Sequence, residues 1–333
     1  MKRAILPFAL LLIPISLSAQ ENPCLRRTVP VSVIGRDGAP VLGLTAENFR
    51  GSLRDAPVRI LSATWNAGPR RIVVLLDLSG SMGRPVAYVS SNRSKAIELL
   101  AGDVLLSGQS DSEFALLAFA QTVQQITPLT RDRKPAFAWV GKIAREERKV
   151  FKGRTALFDA LGKAADLLSA YQHGDVIYLI SDGGDNASRI RANEIEEKLI
   201  SAGVRLFAFL VLDPDPRSQL PLLEESIRTF EIVRRTGGAA FVLRPRAVHW
   251  SREYDLSAGG QTQLREAANS LYQQMEKFYL LEIELPQVMD KPRPWKLELI
   301  PDGKLPVKGL SLHYPMKLLP CSAAKGAQQA APK

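Results

Sequence analysis

The sequence is poor in the residues that most often run chemistry. It has two cysteines and three histidines in 333 residues, and His173, His249 and His313 each stand outside any motif. It contains no His-Glu-x-x-His pair for zinc, no Gly-x-x-x-x-Gly-Lys phosphate loop and no Gly-x-Ser-x-Gly elbow around a nucleophile. Ser81, between Gly80 and Gly83, lacks that elbow spacing, and Asp77-x-Ser79 lacks the second carboxylate of the aspartyl phosphotransferase pattern. These gaps argue against an enzyme, a hydrolase included. Basic residues are dispersed without interleaved aromatics, and the densest run, Arg145 to Lys149, carries both signs, which argues against nucleic acid as a partner. Beyond the leader described next, no apolar run approaches the roughly 20 residues a spanning helix needs, so no integral membrane segment is expected in the mature chain.

What is present begins with a leader. Lys2 and Arg3 precede an apolar run from Ala4 to Leu17, interrupted by Pro7 and Pro14, and then Ser18-Ala19-Gln20. That order reads as a secretory signal over 1–19, cleaved near Ala19, and places the mature protein in the periplasm or outside the cell. An uncleaved anchor is the alternative; a lipoprotein is disfavoured because Cys24 lies five residues past the cleavage point. Export to an oxidising compartment permits Cys24 and Cys321, which flank nearly the whole mature chain, to pair. The formal charge of +10 falls to +8 when Lys2 and Arg3 leave (10 − 2), a balance that suits an acidic partner or an anionic envelope surface. A hydrophobic content of 46% supplies a buried core.

Along the chain, residues 29–34 alternate as a half-buried strand, Arg36-Asp37-Gly38 offers a turn, and 58–65 reads as another strand before the boundary composition Asn66-Ala67-Gly68-Pro69. From Arg71 the character changes, because Ile72 to Leu76 is a continuous apolar run of the kind a central parallel strand requires. Helix 91–106, strand 114–119, a hairpin partner at 122–127, helix 155–171, strand 176–180, helix 191–202, strand 204–211, a helical stretch within 213–232, strand 239–243 and helix 262–278 follow. The alternation predicts an α/β fold with a doubly wound, mostly parallel sheet over 69–278. Segments 279–285, 295–300 and 310–314 are strand-like without helices of their own. They are expected to pair with the early strands, so that 20–68 and 279–321 form a small β accessory domain from both chain ends. The stretch 322–333 reads as a disordered tail.

Directly after the apolar strand comes Asp77-Leu78-Ser79-Gly80-Ser81-Met82, an acid and two hydroxyls at alternate positions. In an open α/β sheet, ligand sites gather at the carboxyl ends of strands, where this turn should lie. The segment resembles the von Willebrand factor type A family, whose metal-ion-dependent adhesion site begins with Asp-x-Ser-x-Ser after its first strand. The likeness continues in Gly153-Arg154-Thr155-Ala156-Leu157-Phe158-Asp159, similar to the segment from which that family supplies a threonine, and in Ile180-Ser181-Asp182-Gly183, similar to its Ser/Thr-Asp-Gly turn. The span is roughly 70–278. Val41 to Phe49 and the strands after the α/β unit look like a bacterial exported subfamily, which implies export and names no partner.

The resemblance implies a divalent cation, Mg²⁺ with Mn²⁺ or Ca²⁺ as alternatives, at Asp77, Ser79, Ser81, Thr155 and Asp182, with the two aspartates acting through water or by holding the serines. It implies a non-enzymatic adhesion or assembly module that captures an acidic side chain of a partner protein. The donor types agree with that implication, since a hard cation takes oxygen ligands and keeps open positions that an external carboxylate can fill. Read singly, each motif has a plainer meaning: the hydroxyls and Asp77 as helix caps, Asp182-Gly183 as a turn. Asp185, Asn186 and Ser188 stand beside that turn as candidates for the rim. Asn92-Arg93-Ser94 and Asn186-Ala187-Ser188 fit a glycosylation pattern that carries no information in a bacterial protein. A metal-independent scaffold of the cell envelope is the competing reading.

Overall fold

The structure is a computed structural model, and it describes residues 22–82, 100–102, 105, 111–145, 150–211, 219–243, 258–300 and 309–321. The leader at 1–19, most of the helix expected at 91–106, Asn92-Arg93-Ser94, His249 and the tail 322–333 lie outside these residues.

The apolar run beginning at Ile72 becomes β4 (Arg71–Asp77), whose residues Ile72 to Leu76 are fully buried. It pairs in parallel with β5 (Glu113–Phe119) on one side and β7 (Val176–Ser181) on the other. Beyond β7 come β8 (Arg205–Val211) and β9 (Ala240–Leu243), also parallel. The far edge is β6 (Val123–Thr130), antiparallel to β5 because only Ala120 to Thr122 connect the two, too short a link for a crossover. The order is β6-β5-β4-β7-β8-β9, so chain direction across the sheet reverses between β4 and β7.

Both sheet faces are covered, which explains why its strands read as apolar runs without alternation. Val74, Leu76, Leu116, Tyr178 and Phe209 pack one way, against α1 (Lys134–Arg145) and α5 (Ala258–Glu276). Val73, Leu75, Leu117, Leu179 and Leu210 pack the other way, against α2 (Leu157–Leu167), α3 (Ala192–Ser201) and α4 (Gln219–Arg235). The helix α1 has no counterpart among the expected elements, although Ala136, Val140 and Ile143 follow helical spacing and are buried. The helix expected to reach 278 ends at Glu276.

The chain ends build a second, antiparallel sheet in the order β12-β2-β3-β10-β1-β13. Its strands are β1 (Arg26–Ile34), β2 (Phe49–Leu53), β3 (Ala56–Asn66), β10 (Phe278–Glu284), β12 (Lys296–Leu299) and β13 (Ser311–His313). A two-stranded ribbon of β11 (Arg293–Pro294) and β14 (Lys317–Leu318) accompanies it. Early and late strands do pair: β10 lies between β1 and β3. The strand β2 was not legible in advance, because Gly51 and Ser52 dilute its apolar alternation. Arg54 and Asp55, at φ 50° and 67°, turn it into β3. Val31, Val33, Phe49, Val58, Tyr279, Leu281, Ile283, Trp295 and Leu297 form its core. Cys24 and Cys321 are joined by a disulfide with a Cα–Cα distance of 5.2 Å, clasping this sheet at the two chain ends.

The two sheets meet at the amino-terminal ends of the parallel strands. Arg205, first residue of β8 and 1% exposed, donates to Ser32 Oγ (3.3 Å), Gln274 O (3.1 Å) and Met275 O (2.5 Å), with its guanidinium 4.0 Å from the Phe278 ring centroid. Arg70 approaches the same ring at 4.7 Å and donates to Glu276 O at 2.8 Å. Two cations thus cap the carbonyl end of α5, where its dipole is negative. Lys317 and Arg235 both reach the buried Glu196, and His313 Nδ1 lies 3.2 Å from Gly238 O. The carboxyl ends of β4 and β7, seven and six residues further on at about 3.3 Å per residue, lie at the opposite end.

Candidate metal centre

Asp77 is the last residue of β4 and is wholly buried. One carboxylate oxygen accepts the Ser79 N–H at 2.8 Å, and the other accepts the Ser181 hydroxyl at 2.6 Å from the end of β7. The bond to Ser79 folds the chain back on itself, and Ser79 Oγ then lies 3.0 Å from Ser81 Oγ. The turn is held from outside as well. Leu78 N–H donates to Phe119 O at 2.7 Å, Lys152 N–H to Leu78 O at 3.0 Å, and Gly80 N–H to Gly153 O at 3.0 Å. Gly80 owes its place to this last approach, since a Cβ there would stand 3.2 Å from Gly153 O; its φ is not positive.

Thr155 arrives on the same segment and is 3% exposed. Its N–H donates to Asn186 Oδ1 at 2.9 Å, and its carbonyl accepts from Asn186 N and Ala187 N, each at 2.9 Å. It does not cap α2. The cap position is Ala156, and the first turn is satisfied by the neighbouring loop: Phe158 N–H donates to Asp185 Oδ1 and Asp159 N–H to Ser188 Oγ at 3.1 Å. The Thr155 hydroxyl therefore has no hydrogen-bond partner among the described residues.

Asp182 follows Ser181 and is 7% exposed. Its Oδ1 accepts the Gly184 N–H at 3.0 Å, and its carbonyl accepts the Ser226 hydroxyl at 2.7 Å. Gly183 adopts φ 81°, and its carbonyl accepts the Thr229 hydroxyl at 2.8 Å; a Cβ there would press on Ser226. Helix α4 thus holds this turn in position. Burial, and after it the charge of Asp182, push the Asp77 carboxyl up to about 7, against the lowering by Ser181 and Ser79.

Ser181, Asn186, Ser226 and Thr229 escaped sequence reasoning as supports. Asn186 was singled out only as a candidate for the rim, and Ser226 and Thr229 gave no signal because they support carbonyls rather than side chains.

The arrangement sits where the strand order reverses, the place at which open α/β sheets hold ligands. Residues 72–184 match the family model of the von Willebrand factor type A domain. The α/β unit has the fold of that domain, a mostly parallel sheet with helices on both faces, and the antiparallel sheet of the chain ends is added to it. No match to a curated protein was found. Among solved structures, the chain is similar to an aerotolerance-related membrane protein of Bacteroides fragilis, at 18% identity over 62% of this chain and 98% of that one, TM-score 0.44. It is similar to the conserved hypothetical protein BatB of Bacteroides thetaiotaomicron at 15% identity, 61% and 98% coverage and TM-score 0.43. A von Willebrand factor type A protein of Catenulispora acidiphila shares 12% identity over 88% of this chain and 73% of that one, TM-score 0.43. These are loose likenesses, and the fold assignment rests on strand order and the matched segment.

The donor set can be tested against a divalent cation. Asp77 and Asp182 are two buried carboxylates close enough to repel, and neither has an ion-pair partner among the described residues. Ser79 and Ser81 add a hydroxyl pair next to Asp77, and Thr155, on the segment that holds Gly80, brings a hydroxyl without a hydrogen-bond partner among the described residues. No three His, Cys, Asp or Glu side chains cluster among the described residues, so a cation bound here would depend on hydroxyls. That combination fits a hard ion with oxygen ligands and retained waters.

Proposed function

We propose that the chain is an exported, non-enzymatic binding module that captures a partner protein's carboxylate at a divalent cation, Mg²⁺ in the first instance. Ser79, Ser81 and Thr155 would hold the ion through their hydroxyls, with Asp77 and Asp182 supplying charge directly or through water. When bound, the cation supplies a Lewis-acidic position that an external carboxylate can complete. The observation that carries this reading is the burial of two mutually repelling carboxylates, Asp77 and Asp182, at the ends of neighbouring strands. A buried charge without a partner is costly, and a cation relieves that cost.

The chain's own groups divide the work. Ser181 and the Ser79 N–H hold the Asp77 carboxylate, the Asn186 clasp fixes Thr155, and Ser226 with Thr229 fixes the Asp182 turn. The non-enzymatic part rests on proximity: His173 and His313, the histidines among the described residues, lie by the amino-terminal ends of the strands, far from the serines. Export rests on the leader and on the disulfide, which persists in oxidising compartments.

The test is calorimetric titration of Mg²⁺ into chelator-treated, desalted protein, beside Asp182→Ala. Heat in the parent that vanishes in the variant is the expected result. Absence of heat in both would sink the cation reading and favour a metal-independent scaffold.

A further inference from the structure

Three cations stand on the loops that build the centre. Lys152 lies next to Gly153, whose carbonyl holds Gly80, and its own N–H is bonded to Leu78 O. Arg154 immediately precedes Thr155, and Arg189 follows Ser188, whose hydroxyl oxygen accepts the Asp159 N–H in the first turn of α2. All three are exposed. None forms an ion pair among the described residues; Arg154 donates only to the Asn186 carbonyl.

The acids nearest in the chain do not neutralise them. Asp159 accepts the N–H groups of Arg189 (3.1 Å to Oδ1) and Ile190 (3.0 Å), and Asp185 accepts the Ser188 hydroxyl at 2.5 Å and the Phe158 N–H. Their charge is engaged at the amino-terminal end of α2. Three unneutralised cations on the loops that build the centre oppose an ion held there, so its retention gains from a partner that brings more than one negative charge.

Resting on the proposed cation site, we infer that the partner segment is polyacidic, one carboxylate meeting the cation and flanking carboxylates meeting Lys152, Arg154 and Arg189. Exposed ion pairs of this kind each add modestly to affinity, add more to the rate of encounter, and are screened within about 8 Å at physiological salt. These cations therefore select among carboxylate-bearing segments; they do not create the site.

The experiment compares two fluorescein-labelled peptides, Gly-Ser-Gly-Asp-Gly-Ser-Gly and Gly-Ser-Glu-Asp-Glu-Ser-Gly, by anisotropy with the full chain in Mg²⁺ and in chelator. Lys152→Ser/Arg189→Ser is the variant; Arg154 is left intact because it also bonds the Asn186 carbonyl. We expect the triacidic peptide to bind about fivefold tighter, the gain two exposed ion pairs supply. The preference should shrink to within about twofold in the variant, and fade between about 20 and 150 mM salt. Equal affinities, a preference that survives in the variant, no binding of the triacidic peptide, or its displacement by heparin at equal charge overturns the polyacidic inference. Magnesium-dependent binding without preference leaves the cation reading standing and overturns only the polyacidic inference, whereas full triacidic affinity in chelator overturns both.

Discussion

Ser181 at the end of β7 donates its hydroxyl to Asp77 at the end of β4, 2.6 Å away, and so ties together the two strands between which the sheet reverses. The same hydroxyl oxygen accepts the Gly183 N–H at 2.9 Å, which links the Asp77 carboxylate to the turn carrying Asp182. One small side chain thereby sets the spacing of two buried acids.

That spacing costs stability until the negative charge is relieved. Asp77→Asn keeps the shape and removes one of the two charges, so the chelated protein at pH 8 should become more stable by about 1–3 kcal/mol. The gain in thermal midpoint that Mg²⁺ gives the parent should vanish in the variant. A variant less stable than the parent in chelator would show that the carboxylate is already compensated.

Thr155 separates support from binding in a different way. Replacing a hydrogen-bonded buried hydroxyl usually destabilises, but the Thr155 hydroxyl has no partner among the described residues. Thr155→Val, which preserves shape and the backbone clasp to Asn186, should change unfolding free energy by less than about 1 kcal/mol. Magnesium affinity should fall at least severalfold in the same titration. Unchanged affinity would remove Thr155 from the ligand set.

The parts of this fold that were readable in advance are those where one physical signal dominates. Ile72 to Leu76 reads as a strand covered on both faces, and the strands after 278 had no helices to cover them, so pairing with the early strands was the economical expectation. Strand β2 was hidden because Gly51 and Ser52 interrupt its pattern, and α1 was passed over although Ala136, Val140 and Ile143 are spaced for a helix. At the candidate centre, Asp77, Ser79, Ser81, Thr155 and Asp182 were named through the likeness of three short motifs to the von Willebrand factor type A family. Ser226 and Thr229 were not, because they bind carbonyls of residues more than forty positions away, and no local pattern encodes that.

His313 supplies a pH dependence. Burial lowers its pKa below 6.5, outweighing the hydrogen bond to Gly238 O that raises it. As pH falls through 6.5 the unfolded chain takes the proton first, so this group's contribution is complete above 6.5 and is lost on acidification towards the lower folded value. Asp77 has the opposite sign in an overlapping window: its folded carboxyl is raised to about 7, so without metal the folded state gains stability as pH falls from there. Comparing the parent with His313→Gln cancels the Asp77 contribution. Between pH 7.5 and 5.5, in chelator, the unfolding free energy measured with denaturant should fall further in the parent than in the variant. An equal loss in both would mean that His313 is as solvated folded as unfolded.

The disulfide closes a loop of 297 residues around both sheets. Linking such distant positions restricts the unfolded chain more than the folded one, and reduction should lower unfolding free energy by about 3–5 kcal/mol. The loss belongs to the antiparallel sheet, because Cys24 immediately precedes the segment leading into β1 and Cys321 follows β14, while the candidate centre lies at the opposite end of the parallel strands. Urea unfolding of Cys24→Ser/Cys321→Ser against the parent, with hydrogen exchange by segment, separates the two ends: faster exchange is expected in β1 and β13, and an unchanged magnesium heat at the centre. If the magnesium response fell with the disulfide, the antiparallel sheet would be coupled to the centre through the Arg70 and Arg205 contacts with α5. If the loss were below about 1 kcal/mol, pairing of β10 between β1 and β3 would suffice to hold the chain ends.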